Sequence, residues 1–117
     1  MTTMTMGKPL RVAMGETITD LAATNDRLVV LDGDTAVSTR VDIFQQAYPE
    51  RFYQTGIAEM NMLGMAAGMA TVGGLIPIVS TFSAFIASRA HDSIRVLIAQ
   101  PKLNVKLLGG YSGLLAG

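Results

Sequence analysis

Residues 62–88 carry no ionisable side chain, and this long uncharged run limits how the chain can fold. The run exceeds the roughly 20 apolar residues that cross a bilayer as a helix. Gly73, Gly74 and Pro77 interrupt it, and both residue types terminate helices. Because each remaining piece is too short to span a membrane, the run favours a buried protein interior, and a membrane helix is the alternative.

Two glycines near the start of this run, Gly64 and Gly68, lie four residues apart. On a helix they share one face, where the absence of side chains lets another backbone approach closely. The segment 59–72 is apolar nearly all round, which predicts a helix buried on most of its faces. In a chain of 117 residues, such burial implies packing against a partner.

The charge balance supports an interface with protein rather than with nucleic acid. The net charge is zero, and charged residues make up 15% of the chain against 50% apolar residues. A neutral chain argues against an extended nucleic-acid surface. The chain has no cysteine and a single histidine, which excludes thiolate and multi-histidine metal sites within it. The lack of cysteine fits a reducing compartment, so a cytoplasmic location is expected.

Apolar runs of strand length alternate along the chain with segments of helical spacing. Helices are expected at residues 11–25, 41–47, 59–72 and 81–99, and strands at residues 27–31, 51–54, 75–80 and 103–108. This alternation predicts a doubly wound, mostly parallel α/β sheet in one domain over residues 10–117, after a flexible tail at residues 1–9. Pro77 lacks a backbone N–H, which places the third strand at a sheet edge or Pro77 at its first paired residue.

Glu59 is the last carboxylate before the uncharged run. Gly56 suggests a strand-to-helix turn that puts Glu59 in the first turn of a helix, where an acidic side chain complements the helix dipole. A second interpretation is also open. In apolar surroundings the pKa of the carboxyl rises, so the group could stay protonated and hydrogen-bond a ring nitrogen of a bound heterocycle.

Three further features each allow a structural and a functional interpretation. The loop Asp32-Gly33-Asp34-Thr35 follows a strand, where ligands bind in open α/β sheets, but it also suits a plain turn. Ser38 either caps a helix or offers its hydroxyl to a ligand. Phe82 and Phe85, three residues apart, form either ordinary core or an aromatic surface for a flat ring. Neither a GxGxxG fingerprint nor a P-loop is present.

The order and spacing of several motifs resemble the pyrimidine-binding domain of transketolases, and more closely the C-terminal subunit of split transketolases. The motifs are residues 55–62, residues 64–70, residues 77–82 with Phe85, residues 89–95 and residues 101–105. The resemblance covers about residues 10–117. It implies the thiamine diphosphate-binding fold of that domain, incomplete at its C-terminus.

What the resemblance implies is a thiamine diphosphate site. Glu59 matches the family glutamate that hydrogen-bonds N1′ of the aminopyrimidine and controls its tautomer. Phe82 and Phe85 match the aromatic residues that pack on that ring. Asp34 matches an aspartate near the thiazolium, and Ser38 matches a serine that touches the sugar phosphate.

The resemblance also implies a second chain. This sequence has no counterpart of the diphosphate-binding domain, whose Gly-Asp-Gly…Asn motif holds Mg²⁺ and the cofactor phosphates in the family. No metal ligand is therefore expected here, and the metal is expected on a diphosphate-binding partner subunit, within a homo- or hetero-oligomer. Ser88 stands where many relatives have a third aromatic residue, so the pyrimidine pocket is expected to be less enclosed.

The expected function is that of a transketolase component, inactive without its partner, which transfers a two-carbon ketol unit between sugar phosphates in the pentose phosphate pathway. One alternative is the beta subunit of a 2-oxo-acid dehydrogenase, which has the same domain and an equivalent glutamate. The motif Ser80-Thr81-Phe82 favours transketolase over that alternative. Another is a truncated fragment that only folds and associates, as the abrupt end at Gly117 suggests.

Overall fold

A four-stranded parallel sheet forms the centre of the computed structural model, which describes residues 7–114. The strands are β1 (Leu28–Asp32), β2 (Phe52–Gln54), β3 (Ile76–Phe82) and β4 (Lys106–Gly110), in the spatial order β2-β1-β3-β4. Each neighbouring pair runs parallel. This confirms the predicted parallel α/β sheet.

Helices connect the strands. They are α1 (Leu10–Ala22), α2 (Ala36–Thr39), α3 (Asp42–Ala47), α4 (Glu59–Val72) and α5 (His91–Ser93), with a 3₁₀ turn at Pro49–Arg51 and π-helical stretches at Phe85–Arg89 and Ile94–Ala99. The predicted bounds of α4 are confirmed, whereas α2 was not predicted. Within residues 7–114, no helix has both the length and the apolar character needed to cross a membrane. The expected tail at residues 1–9 falls largely outside the described residues.

Strand β1 separates two apolar cores. All five of its residues are buried, as expected for a parallel strand covered on both faces. Val29 and Leu31 face one core with residues of α4, while Leu28 and Val30 face the other with residues of α1 and α3. Because side chains alternate along a strand, one short apolar run supports helices on both sides of the sheet. This confirms the doubly wound arrangement.

Neither alternative predicted for Pro77 is correct: β3 lies between β1 and β4 and not at an edge, and its pairing with β1 begins one residue earlier, at Ile76. The backbone N–H of Ile76 donates to the Arg27 carbonyl on the β1 side, so the nitrogen of Pro77 faces the β4 side. Pairing with β4 begins only at Ile78. The missing N–H of Pro77 therefore costs no hydrogen bond of the sheet, and the proline is tolerated inside it.

The predicted helix at residues 81–99 starts later than expected. Thr81 and Phe82 continue β3, because they pair with Gly109 and Gly110 of β4. The following segment contains the two π-helical stretches, whose wider turns occur mainly at functional sites in other proteins. Phe82 is thus a strand residue and Phe85 a helical residue, and the two do not share one helix face.

Candidate functional site

The candidate site lies at the carboxyl edge of the sheet. Parallel strands all end at the same edge, so the segments after β1, β2 and β3 lie side by side there. Asp34 follows β1, Glu59 follows β2, and Phe85 follows Phe82 at the end of β3. The topology therefore gathers the candidates that the sequence separates by up to fifty residues.

Asp32 determines the conformation of the loop after β1. Its side chain is fully buried. The carboxylate accepts hydrogen bonds from the N–H of Thr35 (2.8 Å), the hydroxyl of Thr35 (3.0 Å), the N–H of Ala36 (3.0 Å) and the amide of Gln54 (2.9 Å). Four donors satisfy this carboxylate, so the first aspartate of the Asp-Gly-Asp motif serves the turn and the start of α2.

Asp34, by contrast, is exposed and has a left-handed backbone conformation, with φ of 64°. Aspartate is among the few residues that tolerate this conformation. Asp34 and Ser38 lie along one open cleft of about 250 Å³, whose lining residues are Asp34, Thr35, Ala36, Val37, Ser38, Gln45 and Gln54. Asp32 therefore makes the turn, and Asp34 lies along the cleft, where ligand binding by this loop stays a prediction.

Gln54, the last residue of β2, joins two loops of the site. Its amide N–H donates to Asp32, and its carbonyl accepts the N–H of Asp34 (2.9 Å) and the N–H of Gly56 (3.0 Å). Gly56 leads directly into α4 and Glu59. Gln54 was not among the residues predicted for the site, although the sequence places it at the end of a predicted strand, where ligands bind in open α/β sheets.

Glu59 is the first residue of α4 and is only 2% exposed. Its position at the helix start agrees with the structural interpretation, in which the acid complements the helix dipole. Its burial is required by the functional interpretation, in which a carboxyl shielded from water contacts a ring nitrogen. The expectation of purely apolar surroundings is wrong, however. Nη1 of Arg89 lies 3.1 Å from Oε1 and 3.1 Å from Oε2 of Glu59. The tertiary structure therefore pairs the buried carboxylate with a guanidinium from thirty residues further along the chain.

Three aromatic rings form a row beside this ion pair. The ring centres of Phe85 and Phe82 are 5.8 Å apart, and those of Phe82 and Tyr111 are 4.9 Å apart. The hydroxyl of Tyr111 accepts a hydrogen bond of 2.6 Å from Nη1 of Arg11. Tyr111 was not predicted to belong to the site, because this residue follows the fourth strand and its partners Phe82 and Arg11 are distant in sequence. Tyr111 adds a third ring to the row, whereas Ser88 is exposed.

The guanidinium of Arg89 contacts both Glu59 and Phe85, and its chemistry indicates what kind of group fits beside these two residues. It is flat and carries N–H donors, it contacts the carboxylate of Glu59, and it lies 4.8 Å from the ring centre of Phe85. An aminopyrimidine protonated at its ring nitrogen is also flat and carries an N–H donor there, so Glu59 and Phe85 fit such a ring. No group of three or more His, Cys, Asp or Glu side chains suited to a metal ion occurs in the described part of the chain.

The outer face of α4 is apolar and open. Met60 is 55% exposed and Val72 is 89% exposed. At Gly64 and Gly68, an added Cβ would meet no atom within 4 Å. Within this chain the helix is therefore buried on its sheet-facing side only, and its burial on most faces, which was predicted to involve a partner, stays a prediction. A large exposed apolar face is typical of a surface that contacts another protein.

Comparison with known proteins identifies close sequence relatives. Residues 7–116 match the family model for the transketolase pyrimidine binding domain. A putative transketolase C-terminal section from Methanocaldococcus jannaschii is 46% identical over 110 residues, which are 94% of this chain and 34% of that protein. Human transketolase is 41% identical over 107 residues, which are 92% of this chain and 17% of that protein. The chain thus spans about a third or less of these relatives.

Solved structures agree with the fold. A split gene transketolase, an inactive beta4 tetramer, matches with a TM-score of 0.80 and 47% sequence identity, over 89% of this chain and 34% of that one. Transketolase from Campylobacter jejuni matches with a TM-score of 0.76, over 85% of this chain and 16% of that one. Its sequence identity of 21% supports the likeness of fold alone.

Proposed function

The chain belongs to the transketolase family through its pyrimidine-binding domain, and we propose that it supplies the aminopyrimidine half of a thiamine diphosphate site. The complete enzyme transfers a two-carbon ketol unit between sugar phosphates. The observation that carries the proposal is the buried carboxylate of Glu59 beside the ring of Phe85, with a flat N–H donor already in contact with both.

Each candidate residue has a role that its position supports. Glu59 would share a proton with the ring nitrogen N1′ of the aminopyrimidine and, being shielded from water, would control which tautomer of that ring is present. Phe82 and Phe85 pack against the ring. Asp34 and Ser38 line an open cleft at the same edge of the sheet, to which we assign the thiazolium and the sugar phosphate. Thiamine diphosphate, when bound, supplies the electron sink for breaking and forming the carbon–carbon bond.

A second chain completes the site. We propose a diphosphate-binding subunit that holds Mg²⁺ and the cofactor phosphates and that docks on the open outer face of α4. The exposed apolar side chains and the bare glycine positions of this face support close packing of another backbone. The chain by itself is expected to be inactive, and the homologous split gene transketolase beta4 tetramer is itself described as inactive.

The test is reconstitution with the partner. A pull-down from the source cells, followed by mass spectrometry, is expected to recover a stoichiometric chain with a Gly-Asp-Gly…Asn diphosphate motif. In the reconstituted complex, Glu59→Gln is expected to slow exchange of the cofactor C2 proton and ketol transfer by roughly 10²–10⁴-fold. Glu50→Gln is the matched control, because that glutamate is exposed.

Two outcomes would contradict the proposal. One is unchanged C2-proton exchange in the Glu59→Gln complex, which would remove Glu59 from the cofactor site. The other is the recovery of no partner with a diphosphate motif, which would leave the chain without the second half of its site.

A further inference from the structure

The ion pair between Glu59 and Arg89 is uneven in its exposure. The carboxylate of Glu59 is 2% exposed, whereas the side chain of Arg89 is 52% exposed. A single nitrogen of Arg89 bridges both carboxylate oxygens at 3.1 Å. One partner is therefore fixed in the interior, and the other reaches it from the surface.

The buried carboxylate needs this partner. A charged group removed from water is unfavourable unless it is paired and hydrogen-bonded. Among the described residues, Arg89 is the cation within ion-pair distance of Glu59. Without it, the charge of Glu59 would be buried on the same face of α4 as the apolar residues Met62 and Leu63, which lie three and four residues further along the helix and are fully buried.

Arg89 also contacts the aromatic part of the site. Its guanidinium lies 4.8 Å from the ring centre of Phe85, a distance at which a cation is attracted to the ring face. The guanidinium thus makes the two kinds of contact that a protonated aminopyrimidine needs, an N–H donated to Glu59 and a position over the ring of Phe85. Both groups cannot use that carboxylate edge and that ring face at once.

We propose that the guanidinium of Arg89 occupies the aminopyrimidine site when no cofactor is bound, where it pairs with Glu59. The cofactor has to displace the guanidinium in order to bind, so Arg89 lowers the affinity of the site for the cofactor. This inference rests on the proposed function. Arg89 ends the π-helical stretch Phe85–Arg89 and is half exposed, so its side chain turns into water without a change of the fold. Glu59 exchanges one N–H donor for another and is not left unpaired.

The expected size of the effect follows from competition. When the binding-competent state is only a fraction of the population, the apparent affinity falls by that fraction. If the guanidinium occupies the site about 90% of the time, its removal tightens binding of an aminopyrimidine by roughly 10-fold.

The experiment uses the full chain and a probe that addresses this half of the site alone, 4-amino-5-hydroxymethyl-2-methylpyrimidine, followed by NMR titration. Arg89→Ala is expected to bind the probe roughly 10-fold more tightly than the unaltered chain. Arg95→Ala, which removes an exposed cation from the next π-helical stretch, Ile94–Ala99, is expected to bind like the unaltered chain. Arg89→Gln serves as a second variant if Arg89→Ala folds poorly.

The double variant Glu59→Gln with Arg89→Ala separates the two hypotheses. Loss of the gained affinity in this variant supports the inference. Binding that depends on Glu59 but is equal or weaker in Arg89→Ala and Arg89→Gln would overturn the inference and leave the proposed function intact. If no variant binds the probe through Glu59, the proposed function fails and the inference fails with it.

Discussion

Two buried carboxylates, those of Asp32 and Glu59, lie at the same edge of the sheet, and different kinds of partner stabilise them. Asp32 accepts four hydrogen bonds, three of them from residues within the next four positions. Glu59 is held by one nitrogen of a half-exposed arginine. The contrast teaches that burial alone does not define a functional acid. A carboxylate satisfied by its own loop is fixed, whereas one paired with a movable side chain is able to exchange its partner.

Removal of the Asp32 carboxylate is expected to have the largest effect on the free energy of unfolding. Asp32→Ala leaves the buried N–H groups of Thr35 and Ala36 without an acceptor, so a loss of roughly 3 kcal/mol in the free energy of unfolding is expected. Urea unfolding followed by circular dichroism measures it. Asp26→Ala, at an exposed aspartate in the turn before β1, is the matched control. A change below about 0.5 kcal/mol in Asp32→Ala would show that the loop does not depend on this carboxylate.

Gln54 links the loop of Asp32 to the segment that leads into α4 and Glu59. Gln54→Ala deletes three hydrogen bonds that join the loop after β1 to the entry of α4. Since these bonds are partly exposed, the expected loss is about 1–2 kcal/mol in the free energy of unfolding. Hydrogen exchange is expected to quicken at the N–H groups of Asp34 and Gly56. Unchanged protection at both positions would contradict the assigned role.

Glu59 is expected to respond differently from Asp32 when its charge is removed. Glu59→Gln keeps the shape of the side chain, and the freed Arg89 turns into water. The free energy of unfolding is therefore expected to change by less than about 1 kcal/mol in either direction. Urea unfolding of this variant beside Asp32→Ala tests the contrast directly. An equal and large loss in both variants would show that Glu59 is as firmly fixed as Asp32.

A comparably small effect is expected at Asp34, in the same loop as Asp32. Because its φ of 64° favours glycine, Asp34→Gly is expected to stabilise the fold by about 0.5 kcal/mol, while Asp34→Ala destabilises it by about 1 kcal/mol. Thermal unfolding of the two variants separates backbone strain from the loss of the carboxylate. A similar loss in both would show that the carboxylate itself supports the loop.

Much of the fold was predictable because its signals are local. The four consecutive apolar residues of β1, Leu28–Leu31, predict a strand covered on both faces, and Gly56 followed by an uncharged segment predicts the start and length of α4. Each depends on side-chain periodicity or backbone freedom over a few residues. The extension of β3 to Phe82 was not predictable in this way, because it depends on pairing with Gly109 and Gly110 of a later strand.

In the candidate site, too, the features with local sequence signals were predictable, and the contacts between distant elements were not. The sequence by itself determined that Glu59 begins a helix, that Asp34 follows a strand, and that a long uncharged segment surrounds the acid on one side. Only the tertiary structure decided that Arg89 neutralises Glu59, that Gln54 connects the two loops and that Tyr111 extends the aromatic row. The physical reason is that such contacts join different elements at the carboxyl edge. They depend on the spatial order β2-β1-β3-β4, which no local pattern of residues specifies.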